Sequence, residues 1–184
     1  MLDDLLQRIW AQLAIPVGPV RNPFRLMQLA TLDAHGWPDA RTVVLRSVDA
    51  GAGALYFYVD KRSAKCAQVS AEPRVALTAL SPCGVLQVRL QGLAKLVDDA
   101  EQLQRCWCAA RDKTQALFRH GAVPGQVIDS SESARATTAD GFEHFAMMRI
   151  EATALEWLDL AQPVQQRARF ERRQGDWQAA WLAP

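Results

Sequence analysis

Residues 39–59 read "DARTVVLRSVDAGAGALYFYV". Two runs of β-branched and aromatic residues, 39–48 and 54–59, flank the glycine-bearing turn "DAGAG" at 49–53. That is the pattern of two antiparallel strands joined by a tight connection. Strand side chains alternate faces with period two. Arg41, Val43 and Leu45 therefore share one face, and Thr42, Val44 and Arg46 share the other. An otherwise apolar strand carries one arginine on each side. A buried, unpaired guanidinium is costly, so each arginine needs solvent or an anion.

The same reading extends in both directions. "FRLMQLATLD" (24–33) is a strand, and "AHGWPD" is the turn that leads from it into the strand at 39. Strand, turn, strand, turn, strand makes an antiparallel meander. Upstream, Leu2, Leu5, Leu6, Ile9, Trp10 and Leu13 recur at helical spacing, which predicts an amphipathic helix over 1–14. Downstream, "DKRSAKCAQVSAEP" predicts a short helix with Asp60 or Ser63 as N-cap and Pro73 beyond its end. Strands follow at 74–80 and 84–97, the second long enough to bulge near Gly92. A helix starts at Asp98, with Glu101 in a capping-box position, and another covers roughly 112–119. Residues 126–141 are small, polar and aperiodic, which predicts a mobile loop. "FEHFAMMRIEATALEWLDL" (142–160) holds one or two strands, and a final hairpin turns at "RQGD". At least seven strands with helical connectors predict a mainly β fold, an antiparallel barrel with peripheral helices, in a single domain over 1–184.

A net charge of +1 argues against a nucleic-acid partner held by bulk positive charge. No apolar run reaches the roughly 18 residues of a membrane-spanning helix, so no membrane partner is expected. The N-terminus "MLDDLLQRIW" lacks a basic start and a small-residue cleavage site, which predicts a cytoplasmic protein with reduced thiols. Cys66, Cys83, Cys106 and Cys108 read as packed thiols, because no second Cys/His pair at zinc spacing accompanies Cys106 and Cys108. His144 and Glu143 read as surface residues; Met147, Met148, Trp177 and Trp181 read as packing.

Five segments in order carry a family resemblance: "RTVVLR" (41–46), "LYFYVDKRSAK" (55–65), "EPRVAL" (72–77), "LQVRLQG" (86–92) and the ending "RARFERRQGDWQAAWLAP". The chain resembles the pyridoxamine 5'-phosphate oxidase-like FMN-binding proteins, whose fold is an antiparallel split β-barrel. The resemblance implies a homodimer with FMN in clefts at the subunit interface. It implies Arg41 on the FMN phosphate, and Thr42, Val43 and Val44 along the isoalloxazine. It implies Arg46 near flavin and substrate, Tyr58 and Val59 beside the cofactor, and Ser63 and Lys65 gripping the phosphate. Gln87 would meet the polar edge of the ring, and Trp157 and Arg169 would close the site from the other subunit. The chemistry agrees, since a phosphate dianion suits an arginine fork and a helix start, and a flat ring suits an apolar strand. Tyr58 and Trp157 read equally well as core aromatics. Ser63 reads as an N-cap, and Lys65 and Gln87 as solvated.

The substrate half departs from the oxidase. Its tyrosine, arginine and serine phosphate donors align with Cys106, Ala110 and Thr114, and its C-terminal Arg-x-His pair with Gln165 and Arg167. Ala64 stands where the oxidase has a further arginine. The expected function is an FMN-dependent oxidoreductase on a small molecule other than pyridoxamine 5'-phosphate. The alternatives are a non-catalytic FMN carrier or sensor and a flavin-free dimeric binding protein.

Overall fold

The computed structural model describes residues 1–16, 22–135 and 140–184. Helix α1 (Leu2–Leu13) leads into strands β1 (Leu26–Leu32), β2 (Pro38–Asp49) and β3 (Ala54–Asp60). Helix α2 (Ala64–Ala71) precedes β4 (Arg74–Leu80) and β5 (Leu86–Leu96). Helices α3 (Ala100–Ala109) and α4 (Asp112–Gln115) come next, followed by β6 (Phe145–Asp159), β7 (Gln166–Arg173) and β8 (Asp176–Leu182).

All eight strands form one antiparallel sheet in the order β3-β2-β1-β4-β5-β6-β7-β8. A further pairing of β3 with β6, from Ala54↔Glu151 to Asp60↔Phe145, closes the first six into a barrel. The length of β6 makes this possible. Its first half borders β3, its second half, Ala154–Asp159, borders β7, and β5 runs along its other edge. Strands β7 and β8 therefore extend past the closed barrel as a flap. Closure removes most unpaired strand edges. The predicted fold class, a mainly β antiparallel barrel with peripheral helices, is the one observed.

The alternation in "RTVVLR" is also observed: Val43 and Leu45 are buried, while Thr42 is exposed. The register of β2 on β3 slips between Leu45 and Ser47, which leaves Arg46 on a β-bulge. A bulge re-aims the side chain it carries. A second bulge lies at Gln91/Gly92, as Gly92 predicts. A Cβ at Gly92 would lie 2.4 Å from the Glu151 carbonyl oxygen. Gly92→Ala is expected to lower stability by about 1–3 kcal/mol by forcing β5 and β6 apart. Urea denaturation beside Gly51→Ala, whose Cβ meets only an Asp49 carboxylate oxygen at 3.5 Å, measures it.

The hydrophobic core is filled by residues such as Phe24, Met27, Phe57, Met148 and, from β7, Phe170. Helix α1 adds Leu5, Ile9 and Trp10, with Trp10 6.1 Å from Trp177. Helix α2 caps one barrel end through Cys66 and Val69. A separate aromatic cluster of Trp107, Phe118 and Phe145 sits under α3, with Tyr58, Phe142 and Cys106 against it.

Several local expectations are corrected. The α3 N-cap is Asp99, whose carboxylate accepts from the Gln102 N–H, so the helix starts one residue later than Asp98. The helix expected over 112–119 is one α-turn followed by a 3-10 turn at Ala116–Phe118. The segment 126–141 carries a 3-10 turn at Ser131–Arg135, and residues 136–139 lie outside the described residues. His144 is a strut, not a surface residue: its side chain is 13% exposed, and its Nδ1 lies 2.9 Å from the Phe118 carbonyl. Cys66 is buried, but Cys83 and Cys108 are exposed, on a hairpin turn and at a helix end. Trp181 is 56% exposed because it lies on edge strand β8. Among the described residues no helix is long and apolar enough to cross a membrane.

Candidate functional site

Arg41 follows the inward set of β2 and emerges at the barrel end capped by α2. There its guanidinium donates to the Thr31 hydroxyl and, at 2.8 Å, to Gln68 Oε1, and it pairs with the Asp39 carboxylate. The Gln68 amide returns a bond of 2.9 Å to Asp39. That bond, with Arg41 beside it, holds the Asp39 carboxyl below its ordinary range. The arrangement fixes the arginine fork on rigid elements.

Ser63 occupies the α2 N-cap position, yet its hydroxyl donates to the Asp60 carbonyl at 2.6 Å and caps nothing. The first-turn N–H groups of α2 therefore lack a side-chain cap, and the positive end of the helix dipole faces outward. Lys65 Nζ donates to Ser63 Oγ at 3.0 Å. Burial depresses the Lys65 pKa, and the neighbouring Arg41 charge adds to the depression. Arg41, Ser63, Lys65 and an uncapped helix start thus lie at the same barrel end, and an anion placed there would meet both cations.

The opposite face of the sheet, outside the barrel, carries a different set. Gln28 and Thr42 exchange hydrogen bonds of 3.0 and 3.2 Å across β1 and β2. Gln87 Nε2 lies 3.4 Å from the Thr78 hydroxyl. Beyond it, Glu156 gathers three arginines: Arg167 at 2.8 Å, and Arg89 and Arg169 at 3.5 Å each. Ala30, Ala40, Ala76 and Ala154 floor a groove of about 240 Å³ between these polar residues. Leu26 and Leu80, 60% and 55% exposed, belong to the same outward face.

Near the bulge, Arg46 Cζ lies 5.0 Å over the Tyr58 ring. Tyr58 is half-buried against Phe145, 4.9 Å between centroids. Burial, then the neighbouring Cys106, pushes its pKa up to about 12.

The twelve candidates therefore divide. Arg41, Ser63 and Lys65 meet at the α2 end, and Arg46 and Tyr58 meet at the bulge. Thr42, Gln87 and Arg169 lie on the outward face, and Val44 is half-buried beside them. Val43 and Val59 are interior. Trp157 is a core residue, 8% exposed, with an edge on the small hollow it shares with Gln87 and Arg167. Through the β3–β6 closure, β2 and β7 are three strand steps apart, and Arg41 and Arg169 lie on opposite faces of the sheet. Sequence reasoning missed the supports: Asp39, Gln68 and Thr31 around Arg41, and Glu156 among the arginines. Asp39 was readable, being two residues from Arg41 and hence on its face; Gln68 reaches Arg41 only through tertiary packing.

Comparison with known proteins agrees with the fold. The family model described as pyridoxamine 5'-phosphate oxidase matches residues 19–143. A pyridoxine/pyridoxamine 5'-phosphate oxidase of Caulobacter vibrioides is 28% identical over 173 residues, 89% of this chain and 77% of the relative. One from Pseudomonas entomophila is 29% identical, over 86% and 77% of the two chains. Among solved structures, a pyridoxamine 5'-phosphate oxidase-related, FMN-binding protein of Nostoc punctiforme superposes with a TM-score of 0.75 at 27% identity, covering 87% and 88%. PhzG of Burkholderia lata shares the fold, with a TM-score of 0.79 at 21% identity over 100% and 92%. On the strength of the family match, its ordered motifs and the shared barrel, this chain belongs to the pyridoxamine 5'-phosphate oxidase family.

Proposed function

We propose that the chain is a homodimeric, FMN-dependent oxidoreductase acting on a small molecule other than pyridoxamine 5'-phosphate. The observation that carries the reading is the uncapped α2 N-terminus flanked by Lys65 and Arg41, two cations that share one desolvated corner. Such a corner fits the phosphate of FMN, with the Ser63 hydroxyl beside it. The β2 backbone along Thr42–Val44 would support the ring, with Tyr58 and Val59 beside it. Gln87, Trp157 and Arg169 lie on or against the outward face of the sheet, where they reach the cofactor of a second copy better than their own. That placement supports a dimer joined through the alanine groove. Bound FMN would supply hydride acceptance and electron transfer onward. The chain's own residues would hold the phosphate, exclude water from the ring and orient the donor.

Titrating apoprotein with FMN and with riboflavin tests the phosphate assignment: FMN should bind at least about 100-fold more tightly, since charge-assisted bonds contribute roughly 1.5–3 kcal/mol each. Equal affinities would remove the phosphate from this corner. The same titration has a predicted pH dependence. Lys65 grips phosphate only when protonated, and its pKa lies below the ordinary 10.5. FMN affinity should be full near neutrality and fall as pH rises through that lowered pKa. Lys65→Arg, which stays charged, should flatten the decline.

A further inference from the structure

Protein groups already engage both ends of the Arg41 fork. Nη1 donates to the Thr31 hydroxyl, with the Leu29 carbonyl at 3.4 Å. Nη2 donates to Gln68 Oε1 at 2.8 Å and pairs with Asp39 Oδ2. Only Nε has no partner among the described residues. A phosphate gripped by the fork's terminal nitrogens must therefore take the place of one of these partners.

The four partners are not equally fixed. Thr31 is buried, and the Leu29 carbonyl belongs to the β1 backbone. Gln68 is held from two further sides, by the Thr31 hydroxyl at 2.6 Å and by its own bond to Asp39. The Asp39 side chain is 46% exposed, so it can turn into water at little cost. Asp39 is the partner that gives way, and it is a true rival: its carboxylate offers a guanidinium the same kind of bond as a phosphate oxygen. It also sets the charge of the corner. Arg41 and Lys65 bring two positive charges and Asp39 cancels one, while Asp60 is paired with Arg62 and Ala64 adds no cation. One net positive charge then faces a phosphate carrying about two negative ones.

We propose that Asp39 competes with the FMN phosphate for Arg41 and so makes the flavin an exchangeable ligand, held while the carboxylate is turned outward and released as it returns. The inference rests on reading this corner as the phosphate site. It assigns Asp39 a part in how long the flavin stays, beyond its part in seating Arg41 and Gln68.

Equilibrium titration and stopped-flow release of FMN and riboflavin, on the unaltered chain and on Asp39→Asn and Asp39→Glu, test it. The asparagine oxygen can still accept from Gln68, so the support of Arg41 is kept while the competing charge is removed. Asp39→Asn should bind FMN at least about fivefold more tightly, with the gain in a slower release. Riboflavin has no phosphate, so its affinity should not change. FMN affinity should also fall more steeply with added salt in Asp39→Asn, because the corner then carries two net charges where it carried one. Asp39→Glu keeps the carboxylate and should stay near the unaltered chain. Melting temperatures confirm that each variant is folded. Unchanged or weaker FMN binding by Asp39→Asn, or an equal gain for riboflavin, overturns the competition; a preference of the unaltered chain for FMN over riboflavin then leaves the phosphate corner standing. No preference for FMN in any of the three proteins removes the phosphate corner and the competition together.

Discussion

Replacing Arg41 by alanine is expected to weaken FMN binding by about two orders of magnitude, the loss of one to two charge-assisted hydrogen bonds at roughly 1.5–3 kcal/mol each. Quenching of FMN fluorescence measures it. Arg41→Lys should recover only part of the loss, because a point charge does not reproduce the planar fork. Arg41 also ties Thr31, Gln68 and Asp39 together, so its removal loosens the seat of α2. Lys65→Ala separates the two effects. Its ammonium bonds only to Ser63 Oγ among the described residues, so affinity should fall while the melting temperature changes little. Unchanged FMN affinity in both alanine variants would mean that the phosphate is held elsewhere.

The second large effect concerns the outward face. Ala76 floors the groove with Ala30, Ala40 and Ala154 and is exposed in the single chain. In a two-fold interface one substitution appears twice. Ala76→Arg would bury two unpaired charges where close approach is needed, and should raise the dimer dissociation constant by about a hundredfold or more. Its Cβ points away from the core, so the monomer should keep its fold. FMN affinity should fall together with dimerisation, which sedimentation and fluorescence titration on the same samples would show. A variant that stays dimeric with full FMN affinity would move the interface to another face.

The barrel was legible in the sequence because its signals are local. Period-two alternation, glycine turns and the run length of each strand were enough to place the strands along the chain. The closure of β3 onto β6 was not, since a 15-residue strand that serves two partners looks like one strand or two. Ser63 and Lys65 were legible as a hydroxyl and a cation at a helix start within one short span, and Arg41 was singled out by the resemblance. Their partners were not, because Gln68 reaches Arg41 across 27 positions. His144 was misread because a histidine after a polar segment resembles a surface residue until Phe118 folds back over it.

The arginines on the two sides of β2 have separate surroundings. Arg41 lies at the α2 corner with Asp39 and Gln68, and Arg46 lies over the Tyr58 ring on the outer face. The central claim is that one FMN is held by two chains, and a mixed dimer tests it most directly. One chain carries Arg41→Ala with Lys65→Ala, and the other carries Gln87→Ala with Arg169→Ala. Each alone should bind FMN weakly. Refolded together in equal amounts, half the dimers are mixed and each has one intact site, so FMN should reappear at about one quarter of the sites. Recovery at that level supports a site shared between subunits; no recovery, with mixed dimers verified by mass, contradicts it.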